Sequence, residues 1–587
     1  MLQITSGKLF QRKLAQCHVL RGVLYSNLRI PHEPIETAAG TLLLTGGRGE
    51  PHSIVYEITE RIEEHASGRN IIVSHTVEPY INDFAAVTSF AANVICSPDH
   101  ALAARLTNGT RGVSVHAAPS RFLRRTFDSE IWCQAADAEF LQAFTQQLIA
   151  LRRGAFLGAM RAIRTYVNAV HRVADDLELA YTLMVAALES LAQDFDGHRG
   201  SWQDFPEAKR LAIDSALRKA DTKVAENVRQ ALLEFERVSL GRRFRDFALA
   251  HVDDAYFRQS AAFAGQPIGR SDLIDALRQA YTLRSKYVHS VLKLPDLITM
   301  GDSLGEWRLV DRTPTLTLQG LARLARQVII EFVRRQEKVA SELYDYHLEL
   351  AGVVQVPLDP QYWMGATENL SPASGRVRWE GLLSQIAAWL EGQTTSITNL
   401  FSVLQAVEPQ LQRFSRRERL PFIAMSYVCN MLSPEETRDP EFGRFRETYE
   451  AEIDAPSAES MFVHLLLNGE PKWDLEEHAG IRKTYFKRRC GKGFRAPPVL
   501  EAGATLVLAE KFRAKGDAST ARSLIKEAVE SYPAHVKLRE FESAFDDGPI
   551  NWRQVVLPPA AVVREAPRPT CDRVPESPER DPPATKF

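Results

Sequence analysis

Apolar positions change their rhythm along the chain. In the first part they come in short runs that suit strands: "HVLRGVLY", "GTLLL", "SIVYEIT", "NIIVSHTV", "GVSVHA" and "EIWCQA". Turn-makers such as "TGGRGEP" and "TNGTRG" separate them. One helical stretch, "NDFAAVTSFAANVI", interrupts the series. From "DAEFLQAFTQQLIALRRGAFLGAM" onward, apolar residues recur every three or four positions with almost no Gly or Pro, which is the helical period. The period continues through "FPEAKRLAIDSALRKADTKVAENVRQALLEFERV", "RSDLIDALRQAYTLRSKYVHSVL" and "TLQGLARLARQVIIEFVRRQEKVASELYDY", with Ser271 as an N-cap of the second of these.

These rhythms predict a mainly α protein in five parts. Residues 1–137 form a mixed α+β, β-rich domain, and residues 138–348 form a helical bundle. Residues 349–378 are a linker and 379–547 a second helical region. Residues 548–587, Pro-rich and charged without periodicity, are a disordered tail. Within the second helical region, Ala509, Phe512, Gly516, Ala521, Ile525, Ala528 and Pro533 fall at spacings that resemble one tetratricopeptide repeat.

Composition narrows the class. With 72 Lys and Arg against 74 Asp and Glu the net charge is −2, so nucleic-acid binding requires a local patch, not a global basic field. Six scattered cysteines show neither a CxxC nor metal-ligand spacing, and no apolar run approaches the length of a membrane span. The expectation is a soluble, cytoplasmic protein without membrane contact, metal or cofactor. No phosphate loop, HExxH, GxSxG or kinase signature appears. One basic run stands out, "IRKTYFKRRCGKGFR". There Arg482, Lys483, Lys487, Arg488, Arg489, Lys492 and Arg495 alternate with Tyr485, Phe486 and Phe494. Cations for phosphates and aromatics for bases suit single-stranded RNA, and a solvated helix end fits the same residues.

Candidate chemistry centres on "LRQAYTLRSKYVHSVLKLP", where Arg284 and His289 stand near the end of an amphipathic run closed by Pro295. Spacing alone decides nothing, because Arg12–His18, Arg111–His116, Arg164–His171 and Arg245–His251 are similar. The pair Arg245 and His251, with Asp246 between, is the main decoy. In "LRSKYVHS", downstream of "AYTLMVAALESLAQ", the chain resembles the HEPN superfamily, and more narrowly its Apea-like branch. The resemblance covers about residues 170–310. It implies a helical bundle in which Arg284 and His289 are the signature catalytic pair. Ser285 takes the polar position, where Asn, Asp or His is commoner, and Glu189 matches an acidic residue of the first bundle helix.

A metal-independent endoribonuclease follows from that resemblance, with RNA as substrate, a homodimer or higher homo-oligomer as the working form, and a latent role in abortive infection against phage. A phage-derived trigger or partner protein would release it. The chemistry suits the residues, because a histidine can donate and accept protons near neutrality and an arginine's planar fork matches phosphate. Five helical positions rotate by about 500°, leaving Arg284 and His289 roughly 140° apart. A facing second copy would supply the missing groups. The alternative is a catalytically silent scaffold or sensor that binds a partner protein or RNA.

Overall fold

A computed structural model describes residues 1–47, 49–64, 76–112, 117–197, 201–205, 207–218, 220–235, 240–300, 305–350, 356, 358–368, 370–491 and 493–558. The predicted strands "NIIVSHTV" and "GVSVHA" fall almost wholly outside these residues. The chain divides into two compact units, Met1–Gln355 and Val356–Phe587.

In the first unit, strands β1 (Leu14–Ser26), β2 (Leu28–Arg29), β3 (Ile35–Thr37), β4 (Gly40–Leu44) and β5 (His52–Glu63) precede α1 (Glu78–Ala92). Strand β6 (Cys96–Ser97), α2 (His100–Thr107) and β7 (Ile131–Trp132) follow. The helices are α3 (Ala135–Ala150), α4 (Arg153–Arg172), α5 (Leu177–Phe195), α6 (Glu207–Leu217), α7 (Thr222–Phe235), α8 (Leu240–Ala250), α9 (Arg270–Ser290) and α10 (Asp296–Thr299). A hairpin of β8 (Trp307–Val310) and β9 (Thr313–Leu316) leads into α11 (Leu318–Arg335).

The main sheet has the order β3-β4-β5-β1-β6. Its spine is the antiparallel β1–β5 ribbon, in register with Leu24 opposite Ile54 and Gly22 opposite Tyr56. Alternate residues of β5, Ile54, Tyr56 and Ile58, are buried, as a sheet with one covered face requires. Tyr56 stacks on Phe84 of α1 with ring centroids 4.4 Å apart, which joins sheet to helix.

The boundary expected at 137/138 does not separate two cores. One continuous apolar core runs from Leu2 through the sheet, α1, α3, α4 and α5 to Val333 of α11. The α+β part is therefore a layer of the first unit, because α1 buries Phe84 and Phe90 against both the sheet and the helices. Two end signals also differ from expectation. Helix α9 starts at Arg270 after an extended Gly269, so Ser271 lies inside the first turn instead of capping it. Helix α11 stops at Arg335, short of the run to 346, because Lys338 Nζ donates to the carbonyls of Val333, Arg334 and Gln336 at 2.5–2.7 Å. The chain then carries Tyr346 into a small cluster with Ile4 and Leu9.

In the second unit the helices are α12 (Ser374–Leu390), α13 (Phe401–Val407), α14 (Arg416–Leu432), α15 (Phe442–Asp454), α16 (Ala458–Leu467) and α17 (Leu475–Arg488). They continue as α18 (Pro498–Ala514), α19 (Ala518–Ser531), α20 (Val536–Ala544) and α21 (Trp552–Val556). Helices α18 and α19 pack as a hairpin whose turn holds Gly516 at φ +87°, a left-handed conformation that suits glycine. Ala509, Ala521, Ile525 and Ala528 are buried along it.

The expected linker and tail are both shorter than the composition suggested. Met364 is fully buried, Arg378 donates to Ala366 O at 2.8 Å, and α12 already begins at Ser374, inside the expected linker. Trp552, Val555 and Val556 of α21 are buried in the core of the second unit, so the predicted tail is ordered to at least residue 558. Among the described residues, no helix is long and apolar enough to cross a membrane.

Candidate functional site

Helix α9 forms because its apolar residues sit on one stripe. Leu273, Ala276, Leu277, Ala280 and Leu283 are buried against the bundle, and Asp272 lies in the first turn, where a carboxylate suits the positive end of the helix dipole. Helix α5 is set by Asp176, whose side chain accepts from Leu179 N at 2.8 Å as an N-cap. The end of α9 is tied to this cap. Tyr287 OH reaches Asp176 at 3.5 Å, and Leu294 N donates to Glu178 at 3.4 Å.

Where α5 and α9 meet, Arg284 Nη2 lies 2.6 Å from Glu189 Oε2. Glu189 is almost completely buried and the arginine side chain is 22% exposed. Tyr281 OH donates to the other carboxylate oxygen at 3.4 Å, and the Arg284 guanidinium stands 5.8 Å from the Tyr281 ring centre. Burial, and then the Glu189 charge, raise the Tyr281 pKa above the ordinary phenol value, so the hydroxyl keeps its proton and serves as a donor. Arg284 Nε is buried without a hydrogen-bond partner. Gly241 of α8 lets the Tyr281 ring come close, since a Cβ there would stand 2.9 Å from it. Two residues expected at the site from the sequence, Glu189 and Arg284, thus meet directly. Tyr281 was missed, although its place three residues before Arg284 on one helix face could have marked it.

Ser285 is half-buried, and His289 is exposed in the last turn. Because α9 is continuous to Ser290, Arg284 turns inward while His289 faces solvent, as the rotation predicted. The helix ends on Val291 in the left-handed region at φ 51°. A β-branched residue there is strained by about 1 kcal/mol or more. Around His289 the chain exposes Val288, Val291, Leu292, Leu297 and Met300, each at least half exposed.

Two of the other Arg–His pairs, Arg245–His251 and Arg164–His171, have structural employment. Arg245 is bound to its neighbour Asp246 at 2.7 Å. His251 is held by Phe247 O at 2.9 Å and lies against the Phe247 ring, where burial lowers its pKa. Arg164 pairs with the buried Asp83. Burial, and then Arg105 and Arg172, push His171 down to about 4, so it is neutral at pH 7. His116 lies outside the described residues.

The basic run is divided by the helical period. Arg482, Tyr485 and Arg489 face inward. Arg482 donates to Thr505 at 3.0 Å and to Glu527 at 2.7 Å. Tyr485 donates to the buried Glu501 at 2.7 Å, and Arg489 pairs with that same carboxylate. Both arginines stack near the Phe486 ring at 4.8–4.9 Å, and Phe494 is buried. Lys483, Lys487, Arg488 and Arg495 are exposed, and Lys492 lies outside the described residues. Half of the aromatic–cation pattern therefore stabilises the fold, and the exposed remainder is a smaller cationic face.

No group of His, Cys, Asp and Glu among the described residues is arranged to hold a metal ion. No family model, curated protein or solved structure matches the chain.

Proposed function

We propose that the chain is a metal-independent endoribonuclease of the HEPN type, acting as a dimer and held latent for anti-phage defence. The observation that carries this reading is the Glu189–Arg284 ion pair between α5 and α9, with His289 exposed one and a half turns on. In the proposed reaction a histidine takes the proton of the ribose 2′-OH, and O2′ attacks the adjacent phosphorus. The P–O5′ bond breaks as O5′ receives a proton, leaving a 2′,3′-cyclic phosphate and a 5′-hydroxyl. Arg284 clamps the non-bridging oxygens, with Glu189 and Tyr281 as positioning residues. One His289 cannot serve both proton transfers at once, and two copies supply two. The exposed apolar residues around His289, together with the strained Val291, favour this face as the seam between copies.

The test is cleavage of labelled single-stranded RNA and tRNA in EDTA by the wild type, Arg284→Ala, His289→Ala and His251→Ala, before and after addition of lysate from phage-infected cells. Loss in the first two variants with retention in the third supports the assignment, and loss in His251→Ala alone moves the site. Wild type inert in both conditions overturns the nuclease reading. A second reading, a scaffold that binds a partner protein, is favoured by the α18–α19 hairpin with its small buried residues, and it requires that His289→Ala leave every phenotype intact.

A further inference from the structure

Away from Glu189 and Arg284, a cleft of about 790 Å³ opens in the first unit between the 123–134 segment and α11. That volume lies in the range of small-molecule sites. Its walls carry Arg124, Arg125, Arg323 and Arg326 against Asp128, Glu130 and Glu306. Most of these charges are already spent. Arg323 holds the fully buried Glu306, also donates to Tyr256 O at 2.9 Å, and stacks 3.7 Å from the Tyr256 ring centre. Arg125 pairs with Asp137 at 2.7 Å, and Glu130 pairs with Arg29. Asp128 and Arg124 are exposed on the rim.

Arg326 is different. Its Nη2 has a single bond, 3.3 Å to Ala91 O at the end of α1, and its Nη1 is buried with no partner. The guanidinium stands 5.2 Å from the Phe90 ring centre, and no carboxylate among the described residues comes within ion-pair distance. A guanidinium withdrawn from water without a counter-charge is costly, and an anion brought to the cleft would offset that cost. Burial, and then Arg125, hold its pKa below the ordinary guanidinium value, and the nearby Asp137 is already paired with Arg125.

The rim adds a flat surface. Trp132 on β7 is 60% exposed, and the Arg29 guanidinium lies 4.9 Å from its ring centre. With Arg29 against the ring, the indole still leaves much of its surface in water, a flat π-face of the kind that bases stack on. Asn93, Gln134 and Gln319 supply hydrogen-bonding edges along the same walls.

We infer that this cleft binds a nucleotide, its phosphate toward Arg326 and Arg124 and its base on Trp132. The site is independent of the nuclease reading, because it shares no residue with the Glu189–Arg284 pair.

Calorimetric titration of the full chain with each of the four ribonucleoside 5′-monophosphates, with adenosine and inorganic phosphate as controls, tests it. At least one nucleotide should bind saturably with Kd below about 1 mM, more tightly than either control. Arg326→Met and Trp132→Ala should each weaken it by about tenfold or more, as loss of a charged hydrogen bond or a stacking plane predicts. Arg326→Met removes a buried unpaired charge, so its Tm should hold or rise, which separates lost binding from lost fold. Arg124→Gln, on the exposed rim, should weaken binding with no change in Tm. Absence of saturable binding by all four nucleotides, equal binding of inorganic phosphate, or full affinity in all three variants would overturn the inference.

Discussion

Removing Glu189 should cost more than removing both members of its pair. In Glu189→Leu the Arg284 guanidinium loses its ion-pair partner at 2.6 Å, and the Tyr281 hydroxyl loses its acceptor. Breaking a fully buried pair costs about 3–5 kcal/mol. Arg284 keeps 22% of its side chain in water, which screens part of that, so the expected loss is about 2 kcal/mol. In a unit of this size that corresponds to roughly 3 °C in Tm. Arg284→Met strands the carboxylate, which is the more buried partner, and should cost at least as much. The double variant replaces both charges by apolar side chains and should recover most of the loss, giving a coupling of about 3 kcal/mol. Urea unfolding of the four proteins, with hydrogen exchange of α5 and α9 peptides to assign the transition to the first unit, measures it. Losses that add to within about 0.5 kcal/mol would refute the claim that this pair is a coupled unit.

Two further outcomes concern the second unit. His478 is pushed down to about 4, chiefly by burial and then by Lys511, His464 and Arg482, so between pH 4 and 6.5 the unfolded chain binds a proton that the folded one does not. Its contribution is complete above about 6.5 and is lost as pH falls toward 4, by about 3 kcal/mol at most. His478→Leu should flatten that slope, and an unchanged pH profile of unfolding would count against the assignment. For the basic run, Lys483→Ala/Lys487→Ala/Arg488→Ala together should leave stability within about 0.5 kcal/mol, since all three are exposed. Glu501→Ala should cost about 2–4 kcal/mol by stranding Arg489 and Tyr485. The reverse order, read by thermal melts, would show that the inward face had been misassigned.

How far these features could be read from residues depends on the kind of force that sets each one. Strand β4 coincides with the apolar run "GTLLL", of which Leu42 is buried. Strand β1 begins earlier, at Leu14, where its residues are exposed and pair with β5, so apolar pattern had no signal to offer. Strands β2 and β7 are two residues each and pair in parallel, a contact made between distant segments. The end of α11 rests on a lysine three residues beyond it instead of a glycine or proline. At the candidate site, the motif supplied Arg284 and Glu189 separately, while their contact depends on how α5 packs on α9. The division of the basic run was legible in principle, because Arg482, Tyr485 and Arg489 recur at three and four positions. Arg326 gives no such hint, since its isolation from carboxylates exists only in the folded chain.

The unbroken core of the first unit limits how this protein can be recombined. A crossover placed at residue 137 would cut between Phe90 and its neighbours Phe144 and Tyr166, whose rings lie 5.4 Å from it, and would leave two fragments with torn apolar faces. A crossover near residue 355 falls at the division between the two compact units. Exchange of modules between related chains is therefore expected to preserve the sheet with its helices as one heritable block, while the helical unit that follows is free to vary in partner and in sequence.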